Sequence, residues 1–486
     1  MDVRAQLIGY PRIGPKRELK WALERAWSGR MEAAAFAARV AELRGAHLAE
    51  QREAIGSAVD DYFLYDEVLE TALMLCIAPE ADAGRIGTDA FGVLTALARG
   101  TPDREAWEMT KWFDTNYHYV VPEISAPIES FRPLPWREPV AESGVTWAVL
   151  GPYSLVKLSK LGSGVDAVAV ARSAAAALWA WVREQGDDFL LQLDEPCLGL
   201  VMDESDVALR EAAYTGAEFA LSSPPIVTVQ FGGASAETVE ALGRIGLAVQ
   251  VPVASVAELR DTPAWEAQPE HVVAVMDGRS VWPDDFEAAR DALAGLDGVV
   301  RLVPSTSLMF LPVTVEGEDL PAGFQFAREK ARALAQWPAA LAGGTAPDVP
   351  QPPPVEWPEV GELRSRAPRG DRRTAQADLN LPPYPTTTTG SLPQTTEVRQ
   401  LRVRLGRGEL EPGAYDAEMA KLITDSVAWQ ERIGLDVLVH GEFERTDMVE
   451  YFAEQMDGFH TTHNGWVLSY GSRCVRAPIL AAPPSI

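Results

Sequence analysis

Three cations, Lys16, Arg17 and Lys20, open the stretch "IGPKRELKWALERAW" at residues 13–27. Gly14 and Pro15 suit a helix start, and Leu19, Ala22, Leu23 and Ala26 follow at helical spacing, so the pattern predicts that all three crowd the first helical turn. A helix N-terminus already carries about half a positive charge, and each added cation costs about 0.3–1 kcal/mol. A charge-assisted hydrogen bond to a carboxylate contributes about 1.5–3 kcal/mol, so the turn becomes favourable once an anion arrives. The plain alternative is an exposed amphipathic helix with solvated charges. Lys111, in "MTKWFDTNYHYVVPE", stands among Trp112, Phe113, Tyr117, His118 and Tyr119. It is either a snorkelling stem or a second anion contact.

Other candidates are polar residues that end apolar runs. Asp194 and Glu195 close "LLQLDEPCL"; neighbours along a strand point to opposite faces, so they are no matched acid/base pair and one is expected to be a structural acceptor. Thr389, Gly390 and Ser391 precede a second helix start that carries no base, with Pro393 near the first helical position. Backbone N–H groups and the Ser391 hydroxyl there suit one carboxylate, as on an amino acid. Glu442 ends "LDVLVHGE" and is either an ammonium acceptor or an ordinary strand-end residue. The histidines, His47, His118, His271, His440, His460 and His463, form no H-x-C or H-E-x-x-H pattern, and the cysteines, Cys76, Cys197 and Cys474, form no C-x-x-C. The nearest pair, His460 and His463, is expected to lie in a loop rather than on a metal. There is no phosphate loop and no nucleophile elbow.

Strand ends must be positioned by a sheet, and the first 340 residues supply one. "QLIGYP", "DDYFLYDE", "WAVLGP", "FLLQLDEP", "IVTVQF", "LAVQVPV", "VVAVMDG" and "VVRLVPST" are eight apolar runs, most followed by amphipathic stretches such as 167–184, 206–220 and 284–295. Continuous apolar runs suit parallel strands covered on both faces, and the rhythm fits a (β/α)8 (TIM) barrel over 1–340, with a doubly wound open sheet as the alternative. Residues 341–383 are rich in proline and polar side chains and suit an interdomain linker. From 384 the pattern repeats: "TTTTGSLPQTTEVRQLRVRL" matches "AQLIGYPRIGPKRELKWAL", and "ERIGLDVLVHGEFERTDMVEYF" matches "AIGSAVDDYFLYDEVLETALML". Residues 384–486 are therefore expected to form the start of a second, incomplete (β/α)8 barrel, with two strand units.

The chain has 486 residues, 47% of them hydrophobic and 23% charged, enough for two or three cores. Its formal charge of −27 argues against nucleic acid or an anionic membrane as partner. Three scattered cysteines and the lack of a long apolar segment suit a cytoplasmic protein.

"PRIGPKRELK", "EMTKWFDTNYHY", "LDEP", "PTTTTGSLPQTTEVR", "LDVLVHGEFERTDMVEYF" and "NGWVLSYGSRCV" occur in order over nearly the whole sequence. Together they resemble the cobalamin-independent methionine synthases. That resemblance implies two (β/α)8 barrels and methyl transfer from 5-methyltetrahydropteroyltri-L-glutamate to L-homocysteine, without cobalamin. It places Arg17, Glu18, Leu19, Lys20, Lys111, Arg473 and Cys474 on the folate and its polyglutamate tail, and Thr389, Gly390, Ser391 and Glu442 on homocysteine. Thr389 departs from the isoleucine usual in the family. The resemblance also implies a Zn2+ ion, whose His-x-Cys, Glu and Cys ligands belong to later strands than this sequence contains; Gln230, Phe231 and Gly232 stand at the corresponding place in the first repeat. The expectation is a methyltransferase chain without metal ligands or catalytic residues of its own and inactive alone, either a truncated product or one piece of a divided enzyme served by a complementing C-terminal fragment. The alternative is a non-catalytic module that binds folate polyglutamate.

Overall fold

The computed structural model describes residues 2–140, 142–351, 367–445 and 447–485. The chain forms two compact units, one of residues 1–354 and 462–477, the other of 355–461 and 478–486.

The sheet of the first unit has eight strands, six within or overlapping the apolar runs and two almost wholly ahead of theirs: β1 (Asp2–Ala5), β2 (Ala58–Asp60), β3 (Val145–Leu150), β4 (Leu190–Asp194), β5 (Ile226–Thr228), β6 (Ala248–Pro252), β7 (His271–Met276) and β8 (Val299–Pro304). They pair in parallel in the order β1-β8-β7-β6-β5-β4-β3-β2, a curled sheet in an α/β fold. Edge strands β1 and β2 share no ladder among the described residues, but the segments leaving them meet where the Tyr10 N–H donates to Asp61 Oδ2 at 3.0 Å. Alternate residues divide between two apolar clusters. Ile226, Ala248, Val272, Ala274 and Val303 pack on one face with Ile8, while Val227, Val249, Val251, Val273 and Leu302 join the larger core on the other. Both faces are covered, which is why the sequence runs are apolar without alternation.

The first two strands lie earlier than the runs suggest. Leu7, Ile8, Tyr10, Tyr62, Phe63 and Leu64 are loop residues beyond the strand ends, buried at 1% exposure or less. The expected helices appear at Ala167–Arg183, Glu204–Tyr214 and Phe286–Leu293. One helix differs from expectation. Helix α1 spans Glu18–Trp27, with Arg17 as a left-handed cap at φ 62° and Lys16 in the preceding turn. The Lys16 N–H donates to Glu18 Oε2 at 3.0 Å, so an acid, not a base, opens the helix and only Lys20 lies in its first turn.

The antiparallel hairpin Trp466–Tyr470 with Arg473–Arg476 belongs to the first unit, although it lies far along the sequence in the expected second barrel. In the second unit the expected strand pair is reduced to one parallel bridge, Ser391 to Gly441, beside the helices Thr396–Gly406 and Pro412–Ile433 and an antiparallel pair of Asp457–His460 with Ile479–Ser485. An isolated parallel pair makes few ladder bonds, and three or more strands are normally needed for a stable sheet. Residues 352–366 of the expected linker lie outside the described residues; part of its remainder is the helix Arg369–Ala377.

Candidate functional site

Two separate groups of candidate residues take shape. In the first unit, the α1 cap meets the hairpin. The Arg17 guanidinium lies 3.9 Å from the Trp466 ring centre and 5.2 Å from that of Trp21, and its Nε is buried without a hydrogen-bond partner. Lys20 Nζ reaches Glu24 Oε1 at 2.5 Å and the Ser472 carbonyl at 3.2 Å. Ser472 returns a bond from its hydroxyl to Glu24 Oε1 at 3.3 Å. The hairpin turns at Gly471, where a Cβ would come within 2.6 Å of the Tyr65 ring, so only glycine fits this approach. Arg473 Nη1 donates to the Tyr470 hydroxyl at 3.1 Å, and Tyr470 packs edge-on against His118, the ladder partner of Lys111. Lys111 is exposed at the end of its strand.

Two of the expected folate residues are differently disposed. Leu19 is fully buried in the core and its N–H bonds to the Ile13 carbonyl at 3.2 Å, so it supports α1 from within. Glu18 turns its carboxylate back on the Lys16 N–H. Cys474 is half-buried, and desolvation raises its thiol to about 11 although Lys20 and Arg17 pull the other way. It is a neutral hydrogen-bonding thiol at neutral pH, its Sγ 3.5 Å from the Ser472 carbonyl.

At the C-terminal end of the first sheet, Asp194 and Glu195 are both buried acceptors. Asp194 Oδ1 receives Thr228 Oγ1 at 2.6 Å and Gln192 Nε2 at 2.8 Å. Glu195 receives the Tyr153 and Ser154 N–H groups and the Tyr214 hydroxyl at 2.6–3.1 Å, closing the start of helix Pro152–Lys157. Burial raises each to about 7. Asp61 accepts from His47 Nε2 at 2.9 Å as well as from Tyr10, while Glu67 is held by Arg12 at 3.1 Å and Tyr117 at 2.8 Å. Sequence reasoning missed this group; the acidic run "DDYFLYDE" was its only signal, since His47 and Tyr117 come from distant segments.

In the second unit, Gly390 and Glu442 are neighbours: a Cβ on Gly390 would lie 2.9 Å from Glu442 Oε1. Glu442 adopts a left-handed backbone, φ 52°, and its other oxygen pairs with Arg445, whose Nε is 2.5 Å away. Gln394 Nε2 donates to the Glu442 carbonyl at 3.3 Å, and Arg402 to Gln394 Oε1 at 2.6 Å. Thr389 and Ser391 are exposed. The adjoining helix begins only at Thr396, capped by Thr395, so Ser391 precedes it by more than was expected. The first unit contains the same pair. Gly9 and Asp61 are as far apart in sequence as Gly390 and Glu442, and a Cβ on Gly9 would lie 2.8 Å from Asp61 Oδ2.

Among the described residues no group of three or more His, Cys, Asp or Glu is disposed to hold a metal ion. Gln230 Oε1 is engaged by the Ser307 N–H at 3.0 Å, and Phe231 stacks on Phe113 at 4.9 Å, so the first repeat offers no donor set for zinc. His460 and His463 fall in different units. No helix among these residues is long and apolar enough to cross a membrane.

The family profile described as "Cobalamin-independent synthase, N-terminal domain" matches residues 4–301, and that described as "Cobalamin-independent synthase, Catalytic domain" matches residues 384–484. A Caulobacter vibrioides protein named 5-methyltetrahydropteroyltriglutamate–homocysteine methyltransferase is 38% identical over 99% of this chain and 70% of its own length. Proteins of the same name from Mycolicibacterium paratuberculosis and a Chelativorans species are 39% and 36% identical, over 98% and 97% of this chain and 68% and 69% of their own lengths.

Proposed function

The chain belongs to the cobalamin-independent methionine synthase family, and from that premise we propose that it serves methyl transfer from 5-methyltetrahydropteroyltriglutamate to homocysteine in the cytoplasm. The first unit, as a (β/α)8 barrel with its hairpin, takes the folate; Arg17, Lys20, Lys111 and Arg473 receive the carboxylates of the tail, Glu18 and Leu19 fix α1 beneath them, and Cys474 serves as a neutral contact. The second unit, as the start of another barrel, takes the amino acid: Glu442 receives its ammonium group, and the Thr389-Gly390-Ser391 backbone with the Ser391 hydroxyl receives its carboxylate.

The observation that carries the reading is the meeting of the α1 cap with the hairpin. Residues more than four hundred positions apart meet there: Arg17 lies on Trp466, and Lys20 bonds the carbonyl of Ser472, the neighbour of Arg473 in sequence, in a protein whose net charge is strongly negative. Such a local cationic surface suits a small polyanion, which gains one charge-assisted hydrogen bond per carboxylate. Transfer also requires homocysteine as a thiolate, since a free thiol near pKa 8.5 is only a few per cent ionised at neutral pH. No described residue is assigned to that step, and none is assigned to zinc.

Calorimetric titration with methylated tetrahydrofolate tests the reading. The triglutamate should bind at least about tenfold more tightly than the monoglutamate, with the gap narrowing as salt is raised, because exposed pairs are screened over about 8–10 Å at physiological ionic strength. Equal affinity for both tail lengths would remove the tail assignment. Homocysteine affinity lost in Glu442→Gln, with folate affinity kept, would support the amino-acid assignment.

A further inference from the structure

We infer that Trp466 is the positioning residue that makes Arg17 a selector for tail length; this rests on the folate reading above and deepens it. Trp466 touches no other candidate ligand contact by hydrogen bond, but its ring carries two guanidinium groups, Arg17 at 3.9 Å and Arg476 at 4.8 Å from the centre. Each such contact is attractive, and the more so where water is excluded. Two cations drawn to one ring nevertheless repel one another, a local conflict of the kind found at sites that receive a ligand of opposite charge.

The geometry explains why the indole is needed. Arg17 sits at a left-handed cap, a conformation unfavourable for a side chain with a Cβ. Its Nε is buried without a partner. Without the Trp466 face the guanidinium would keep only the more distant Trp21 ring, 5.2 Å away, and would have to be ordered on each capture of a carboxylate. Trp466 itself is fixed from the other end. Arg476 Nη1 donates to the Thr462 carbonyl at 2.7 Å, and the Asn464 N–H donates to Glu318 Oε1 at 2.6 Å, anchoring the base of the hairpin to the first unit. Lys20 and Ser472 hold its tip at α1. The indole is therefore a fixed platform on which one flexible cation is laid down before the tail arrives.

The test is a cycle of Trp466→Leu, Trp466→Phe, Arg17→Gln and the double variant Arg17→Gln/Trp466→Leu in the full chain. Each is titrated with methylated tetrahydrofolate monoglutamate, the triglutamate and the free γ-linked triglutamate peptide. Trp466→Leu should weaken the triglutamate and the peptide five- to tenfold and change the monoglutamate less than twofold. Trp466→Phe, which keeps an aromatic face, should recover most of that loss, and the double variant should bind no worse than Arg17→Gln alone. Equal loss for both folates, or additive losses in the double variant, would overturn the proposal. A wild-type chain that binds the peptide but neither folate would leave the clamp standing and overturn the folate reading; one that binds none of the three overturns both. Unchanged melting of Trp466→Phe secures the comparison should Trp466→Leu fold poorly.

Discussion

The two glycine–carboxylate pairs place the same motif in opposite states. Asp61, beside Gly9, is almost wholly buried, and each of its oxygens is already taken, one by the Tyr10 N–H and one by His47. Glu442, beside Gly390, is part-exposed, with one oxygen on Arg445 and the other facing the glycine. A carboxylate saturated by its own chain holds a fold together; one left partly open can receive something else. The two pairs thus differ in how far the chain itself satisfies the carboxylate, although residue type and spacing are alike.

The largest contrast should come from removing each acid. Asp61→Ala leaves a buried N–H and an imidazole without an acceptor, and unfolding in urea should show a loss of about 2–4 kcal/mol. Glu442→Ala should cost less than about 1 kcal/mol, as for an exposed ion pair, yet reduce homocysteine affinity at least tenfold. Similar stability losses at both positions would erase the distinction. Next come the glycines: Gly9→Ala drives a Cβ into the buried Asp61 and Ser307, and should destabilise by about 2 kcal/mol. Gly390→Ala meets a side chain that can move aside, so the melting temperature should hold while homocysteine binding weakens.

A smaller effect concerns pH. Burial keeps Asp194 protonated to about 7 in the folded chain, whereas the unfolded residue ionises near 4. The folded state then binds more protons between these values, and stability should fall as pH rises from about 4 to 7. Asp60 has the opposite sign, since Arg137 and Arg44 hold it below the usual range and its contribution is lost as pH falls through that lower value. Urea midpoints of Asp194→Asn across this interval should show a flatter decline than the wild type; an unchanged slope would mean that Asp194 is ionised throughout. The smallest effect is at Lys20. The sequence pattern alone predicts relief on removing a cation from the helix start, but Lys20 pairs with Glu24 four residues on, so Lys20→Gln should lower stability by about 0.3–0.5 kcal/mol. A higher melting temperature would restore the original expectation.

What was legible in the sequence was whatever local pattern decides. Six of the eight runs coincide with strands because both faces of the sheet are covered there, whereas the first two runs are mostly buried loops that follow their strands. The helix start was misjudged because Glu18 folds back on the Lys16 N–H, a turn that the periodicity of Leu19, Ala22 and Leu23 does not encode. The motifs carrying Arg17 and Arg473 were recognisable separately, but their meeting depends on the Gly471 turn seating against Tyr65, a contact between distant segments. The difference between Asp61 and Glu442 was equally hidden, since the partner that saturates Asp61 comes from helix Ala33–Ile55.

The return of residues 462–477 to the first unit bears on the order in which the protein can be made. At ribosomal speeds of roughly 5–20 residues per second, the sheet strands emerge many seconds before Trp466 does. The nascent first unit must wait with its α1 cap uncovered while an intervening hundred residues are synthesised, and only then can the hairpin dock. The meeting of Arg17 with Trp466 is therefore deferred until residues 355–461 of the second unit have been made.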